Sequence, residues 1–212
     1  MGTGIVSVAL SLDGDETLSR ILLVIAAVTW LALATIVPLR ARRDRARARD
    51  DLRTPAALTS AAGTAVLGAR LAMLGWTWAG IAALAIAAVV WALLLTPVLA
   101  YWRTPTDGSS LVLAVATESL AALAALLAAS ERADWLLVIA LAPFVLGLGF
   151  YVFVIARFDL RQLTVARGDH WITGGALAIS TLAGKLLVGA KALGILGAGV
   201  GCSRTLRLAF GC

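Results

Sequence analysis

The chain has few of the residue types on which soluble enzymes depend. Only 14% of its 212 residues are charged, and it holds one histidine, His170, and two cysteines, Cys202 and Cys212. Because Cys, His, Asp and Glu residues do not form a cluster in the sequence, we predict that the chain has no metal site and no catalytic residue and is not an enzyme. The two cysteines lie near the C-terminal end, so we expect them to be incidental free thiols and not part of a disulfide framework. A glycine-rich nucleotide-binding loop is also missing, so no cofactor and no ATP-driven pumping are expected.

Proline is scarce as well, with five residues, and apolar residues come in long unbroken runs. Hydrophobic residues make up 61% of the sequence, and the mean hydropathy of +0.95 is far above that of an ordinary soluble domain. Unbroken runs, in place of short alternating stretches, favour membrane helices over a β-barrel. The predicted fold class is an all-α integral membrane protein with a single polytopic helical domain, whose solvent is a lipid bilayer.

The junction between residues 21–39 and residues 40–53 predicts how the chain is oriented. The first segment is nineteen residues without a charge, enough for one helix to cross the ~30 Å hydrocarbon core. The second segment holds seven arginines, and such cationic segments stay on the cytoplasmic side. We therefore expect residues 40–53 to form an Arg-rich cytoplasmic loop of a multi-pass protein in the plasma membrane.

The net charge of +6 could also indicate a nucleic-acid partner. Seven of the eighteen basic residues belong to the Arg-rich segment, however, where membrane topology requires them. No interleaving of basic and aromatic side chains accompanies them. We predict no nucleic-acid partner, and an additional contact of this segment with anionic lipid stays open.

The apolar runs predict about seven full spans with partial ones at each end. A Gly-Trp-Thr-Trp sequence at residues 75–78 marks the break between the third and fourth spans, because indoles favour the membrane interface. Predicted cytoplasmic loops hold seven, one and three basic residues and the opposite loops none or one, as the orientation requires. The approximate spans, in order, are residues 2–12 (partial), 18–39, 55–74, 79–102, 109–129, 135–156, 170–190 and 193–200 (partial).

Three ionisable residues, Arg70, Glu118 and Lys185, lie within predicted spans three, five and seven. Charges inside a bilayer are costly and usually face a protein interior or a water-filled path. At 1.5 Å per residue, Glu118 lies ~14 Å from the cytoplasmic end of its span and the two cations ~22 Å from theirs. Snorkelling to the outer interface is the alternative for the cations. Glu118 is too deep for that, and Lys185 is its first candidate partner.

Each of these odd-numbered spans has one face of small and polar residues at helical spacing. Such a face either borders a path or allows close packing against a neighbouring helix, and packing is the commoner role. We predict Arg70, Glu118, Thr181 and Lys185 as pathway residues, and His170 with Trp171 as an interfacial cap. The three faces are Thr59, Gly63, Val66 and Arg70; Ala114, Glu118, Ala121 and Ala125; and Gly174, Ala178, Thr181 and Lys185.

Three segments resemble the tellurite-resistance/dicarboxylate transporter family, which includes the plant slow anion channels. Residues 1–7 (MGTGIVS) resemble its first helix, residues 113–121 (LAVATESLA) its fifth and residues 169–181 (DHWITGGALAIST) its seventh. The resemblance implies ten helices arranged as five hairpins, with odd helices in an inner ring around a pore and even helices outside. It also implies transport of dicarboxylates, sulfite, tellurite-like oxyanions, chloride or nitrate, often by homotrimers.

The leading prediction is therefore a membrane anion channel or transporter with a pore lined by odd-numbered helices. Arg70 and Lys185 would raise the local anion concentration at the outer mouth. The predicted spans are fewer than ten, and the family's gating phenylalanine, on the ninth helix, would fall beyond Cys212. The alternative is a truncated, non-transporting membrane protein or subunit that only packs with partner helices.

Overall fold

The computed structural model describes residues 2–102, 108–131, 133–158 and 179–189, which are almost entirely helical. Short 3-10 turns, Pro55–Leu58 and Gly108–Leu111, precede the fourth and sixth α-helices. The described α-helices are α1 (Gly2–Asp13), α2 (Glu16–Arg43), α3 (Arg45–Asp51), α4 (Thr59–Met73), α5 (Thr77–Ala100), α6 (Val112–Glu131), α7 (Asp134–Ala156) and α8 (Ile179–Gly189).

Five helical stretches of the described chain are long and apolar enough to cross a bilayer. They confirm the predicted all-α membrane class, whereas the count of about seven full spans stays a prediction. Two further apolar helices, α1 and α8, are shorter. Residues 170–178 of the seventh predicted span, the 193–200 stretch and both cysteines lie outside the described residues. The five stretches are Glu16–Arg43, Pro55–Met73, Thr77–Ala100, Ser109–Glu131 and Trp135–Ala156.

Three helical hairpins, α1–α2, α4–α5 and α6–α7, build the bundle. Gly14 and Gly75 form the first two turns with φ of 93° and 87°, a left-handed conformation that favours glycine. The Gly75 turn lies where the Gly-Trp-Thr-Trp sequence predicts a break, and Trp76 and Trp78 are exposed there. We call this end of the bundle the Gly14 end and the opposite end, which carries residues 40–53, the Arg-rich end.

Burial separates central from peripheral helices. The most apolar window of the α6 stretch is 89% buried inside the protein and that of the α4 stretch 44%, against 6%, 11% and 17% for α2, α5 and α7. The central helices α4 and α6 pack against each other, and each also packs against its peripheral hairpin partner. The alanine-rich sequence of α6 suits its central place, because small side chains let neighbouring backbones approach.

Two glycines allow α4 and α5 to approach closely. A Cβ on Gly68 would collide with the Cβ of Ala83, and a Cβ on Gly80 would lie 2.9 Å from the Cβ of Ala72. The side chain of Leu127 on α6 would also lie 3.0 Å from that added Cβ. Helices α4 and α5 are therefore held at a distance that only glycine permits at these two positions, and the side chain of Leu127 on α6 fills the space beside Gly80.

Residues 40–53, predicted as a loop, are mostly helical. Helix α2 continues through Arg40 to Arg43, and α3 follows after Asp44, whose carboxylate accepts a hydrogen bond from the backbone N–H of Arg47 at 3.0 Å. Arginine and alanine are strong helix formers. Cations also interact favourably with the C-terminal end of a helix dipole, so α2 runs past its apolar segment.

Candidate functional site

Arg70 is buried near the Gly14 end of α4, with 2% of its side chain exposed. Its Nη2 donates to both carboxylate oxygens of Glu16, at 2.8 and 2.9 Å, and its Nε donates to Oγ of Ser19 at 3.1 Å. Glu16 is the first residue of α2, and 41% of its side chain is exposed. The guanidinium is thus neutralised by a neighbouring hairpin and does not reach out as a snorkelling arginine would.

Two buried serines fasten α1 to α2 beside this ion pair. Oγ of Ser7 donates to the carbonyl oxygen of Ser19 at 2.7 Å, and Oγ of Ser19 donates to the carbonyl oxygen of Ser7 at 2.6 Å. Because Ser19 also accepts from Arg70, three helices meet in one polar network. We call Arg70, Glu16, Ser19 and Ser7 the Arg70 cluster. Charge-assisted hydrogen bonds are stronger than neutral ones, and here the Arg70 end is buried while Glu16 is partly exposed to solvent.

Glu118 lies on α6 and is fully buried. Its Oε2 accepts a hydrogen bond from Oγ of Ser180 on α8 at 2.6 Å, while its Oε1 has no hydrogen-bond partner within the described ranges. No ion pair in that part of the chain joins Glu118 to Lys185, its first candidate partner. Five residues separate Ser180 from Lys185, which turns their side chains to different sides of the helix.

The side chain of Glu118 lies against Gly147 of the peripheral helix α7. A Cβ on Gly147 would collide with Cγ of Glu118 and would lie 3.3 Å from its Oε1. Farther along α6, Ala125 belongs to a small apolar cluster with Ala140 of α7. The small-residue face of α6 therefore packs against its own hairpin partner, the alternative to bordering a path. We call Glu118, Ser180 and Gly147 the Glu118 cluster.

Thr181 and Lys185 lie on the exposed side of α8, one turn apart. The opposite side of the helix carries buried Ser180. On the same helix, a Cβ on Gly184 would lie 3.4 Å from the ring of Phe144 on α7. Helix α8 therefore packs one side against the α6–α7 hairpin and presents its predicted pathway residues on another.

A small apolar cavity of about 50 Å³ lies between four helices toward the Gly14 end. Its described wall comes from α1, α4, α6 and α8, the helices of the odd-numbered predicted spans, and from no described peripheral helix. None of the four predicted pathway residues lines it. The lining residues are Val8, Leu12, Ala69, Met73, Ala122, Leu126, Leu182 and Leu186.

Two tryptophan–threonine pairs fix peripheral helices on central ones. Nε1 of Trp30 on α2 donates to Oγ1 of Thr64 on α4, and Nε1 of Trp91 on α5 donates to Oγ1 of Thr117 on α6, both at 2.9 Å. Each threonine hydroxyl in turn donates to a carbonyl of its own helix at 2.8 Å. In an apolar setting, these single polar contacts determine how far each helix slides and rotates on its neighbour.

Sequence reasoning missed the partners of both buried charges. A signal for Glu16 existed, because the acidic stretch that begins the second span lies at the same end of the bundle as Arg70. No comparable signal distinguished Ser180 from the adjacent Thr181, since the choice depends on how α8 is rotated. Gly147 was also missed, because one glycine in an apolar helix does not reveal what lies against it.

Within residues 2–102, 108–131, 133–158 and 179–189, no three His, Cys, Asp or Glu side chains come together as a metal site. The two buried ionisable groups instead connect helices. The cavity between four helices, which neither group lines, is the feature that points to passage along the bundle.

Comparison with known proteins supports the same direction. A family model described as "voltage-dependent anion channel" matches residues 1–205, almost the whole chain. No curated protein and no solved structure gives a significant match. The family match spans all three segments that carry the resemblance stated above and confirms the predicted family.

Proposed function

Because the chain belongs to the voltage-dependent anion channel family, whose members are membrane channels or transporters, we propose that it carries small anions along the axis between α1, α4, α6 and α8. The observation that carries this proposal is the cavity whose described lining comes from those four helices alone. The peripheral helices support it, since their apolar surfaces face outward as a bilayer requires.

Lys185 and Thr181 are the polar residues that we assign to the pathway. Both lie on the exposed side of α8, and each precedes in sequence a leucine that lines the cavity, Leu182 after Thr181 and Leu186 after Lys185. An exposed ammonium at that place raises the local concentration of anions without a tight binding site.

Arg70 and Glu118 take a different part in this proposal. The charge of Arg70 is balanced by Glu16, and Glu118 lies where α6, α7 and α8 meet. A carboxylate facing the path would repel anions, so a position behind the wall suits an anion pathway. We assign both residues the role of holding the wall helices in place.

The charge of residues 40–53 and the apolar surface of the peripheral helices support a location in the plasma membrane. Residues 40–53 lie on the cytoplasmic side of the plasma membrane, because arginine-rich segments resist translocation. The candidate substrates are C4-dicarboxylates, sulfite, tellurite-like oxyanions and small inorganic anions such as chloride and nitrate. The exposed apolar sides of α2, α5 and α7 offer surface for lipid and for the neighbouring copies of a homotrimer.

Anion uptake into liposomes that contain the full chain tests the proposal. Chloride, nitrate, sulfite and malate are offered in turn, with and without a pH gradient. We expect uptake of at least one anion, and we expect Lys185→Glu to lower it roughly tenfold, because the substitution reverses the charge beside the path. Absence of uptake for all four anions favours the non-transporting alternative.

A matched pair of neutral variants controls for charge in general. Lys185→Gln removes the cation that we place at the pathway, and Arg20→Gln removes an exposed cation on peripheral helix α2. Only the first is expected to lower uptake. Equal uptake by Lys185→Glu, Arg20→Gln and the unaltered chain would exclude Lys185 from the pathway while leaving the transport proposal intact.

A further inference from the structure

The Arg-rich end of α2 carries a surface groove of about 190 Å³ that is independent of the proposed pathway. Ile36, Leu39, Arg40 and Arg43 line it. Their spacing of three, four and seven residues from Ile36 places all four on one side of the helix. Along this side, two apolar residues are followed by two cations, so the groove joins an apolar half to a basic half.

The position of the groove along α2 matches the boundary between the hydrocarbon core and the headgroups of a bilayer. The uncharged residues 21–39 of α2 extend ~28 Å as a helix, close to the ~30 Å hydrocarbon thickness. Arg40 and Arg43 follow immediately, so we expect them at the level of lipid headgroups. Helix α2 is also the most exposed of the five candidate spans, with 6% of its apolar window buried. The groove thus faces lipid.

Arg40 and Arg43 have no ion-pair partner among the described residues. Two of the three carboxylates in residues 40–53 have other partners: Asp44 accepts from the backbone of Arg47, and Asp50 pairs with Arg53 at 3.2 Å. Two guanidinium groups that share one groove and form no ion pair with the described residues are suited to a phosphate, which arginine binds through paired hydrogen bonds.

We propose that this groove binds an anionic phospholipid, with its phosphate between Arg40 and Arg43 and the start of an acyl chain along Ile36 and Leu39. Charge complementarity identifies an anionic headgroup, and the apolar half of the groove identifies a lipid over a free anion. The four residues form one site, distinct from the general positive charge of residues 40–53.

Native mass spectrometry of the full chain in an uncharged detergent tests this site. Phosphatidylglycerol is titrated against the unaltered chain, Arg40→Gln/Arg43→Gln, and Arg45→Gln/Arg49→Gln, which removes the same charge from α3. We expect the first double variant to hold phosphatidylglycerol roughly 10- to 30-fold more weakly, and the second to bind as the unaltered chain does. Phosphatidylcholine is expected to bind weakly to all three.

Four outcomes would overturn the proposal: equal loss in both double variants, no loss in either, equal binding of the two lipids, or complete displacement of phosphatidylglycerol by inorganic phosphate. The first would indicate diffuse attraction and the last a site for free anions. Thermal unfolding checks that each variant is folded. If Arg40→Gln/Arg43→Gln does not fold, Arg43→Gln against Arg49→Gln decides the same question.

Discussion

The Arg70 cluster and the Glu118 cluster are two solutions to the same problem, an ionisable side chain buried among apolar helices. Arg70 has an opposite charge and a serine as partners and joins α1, α2 and α4. Glu118 has one serine hydroxyl and the bare backbone of Gly147, and it joins α6, α7 and α8. The first cluster relies on attraction between partners, whereas the second relies on a close fit.

The comparison shows which neighbouring residues stabilise each buried ionisable side chain. A buried charge loses its hydration, and only a paired, hydrogen-bonded charge recovers most of that loss. Arg70 recovers it through Glu16, so its cluster depends on charge. Among the described residues, Glu118 is held by one short hydrogen bond of 2.6 Å, so its cluster depends on the space that Gly147 leaves.

Removing the negative charge of Glu16 is expected to have the largest effect. Glu16→Gln leaves the buried Arg70 unpaired, and we expect a loss of about 3 kcal/mol in the free energy of unfolding, the low end for such a change because Glu16 is partly exposed. Denaturant unfolding in micelles measures it. Arg20→Gln, which breaks only the exposed pair with Glu16, should stay within about 0.5 kcal/mol.

A second substitution tests whether the loss of stability in Glu16→Gln comes from the unpaired charge of Arg70. Arg70→Met added to Glu16→Gln removes the orphaned charge and should recover most of the lost stability, since an apolar side chain of similar size suits the site. A double variant no more stable than Glu16→Gln alone would mean that Glu16 stabilises the bundle by some route other than Arg70.

Filling the space beside Glu118 is expected to have the next largest effect. Gly147→Ala places a methyl group against Cγ of Glu118, and we expect a loss of about 2 kcal/mol by overpacking. Gly149→Ala is the control, because its Cβ meets nothing within 4 Å, and it should be neutral or stabilising. Thermal unfolding of both variants distinguishes them, and equal melting temperatures would contradict the close fit.

Removing the hydroxyl of Ser180 is expected to have the smallest effect, a loss of about 1.5 kcal/mol, because the buried carboxyl of Glu118 loses the hydrogen bond that this hydroxyl donates. Ser119→Ala removes a buried serine hydroxyl that donates only to its own helix, to the carbonyl of Val115 at 2.7 Å, and should cost less. Hydrogen exchange of the α8 amides is the measurement. Faster exchange in Ser119→Ala than in Ser180→Ala would contradict the fastening of α8 through Glu118.

Much of the bundle could be predicted because a bilayer restricts what a sequence can form. The break at residues 75–78, the membrane class and the family all follow from apolar runs, interfacial indoles and short motifs. Secondary structure differed from expectation at residues 40–53, where cationic composition indicated a loop and helix propensity extended α2 to Arg43. The cytoplasmic placement of this segment stays a prediction.

The candidate site was less predictable. Helical periodicity selected the small face that carries Glu118, but packing against α7 and bordering a path require the same small residues. Arg70 and Lys185 also looked alike, as cations at similar depth on odd-numbered spans. Their surroundings differ, since Arg70 is paired and 2% exposed while Lys185 is exposed on α8.

By itself, the sequence determined that the chain is a helical membrane protein of an anion channel family with few charges inside its predicted spans. Hydrophobicity and charge are properties of each segment alone, so they can be evaluated without knowing which other segments pack against it. Only the tertiary structure decided that Arg70 meets Glu16, that Glu118 meets Ser180 beside Gly147, and that α1, α4, α6 and α8 enclose one cavity. Such contacts depend on how each helix is rotated and placed against the next, and in an apolar solvent close packing and a few polar contacts decide that.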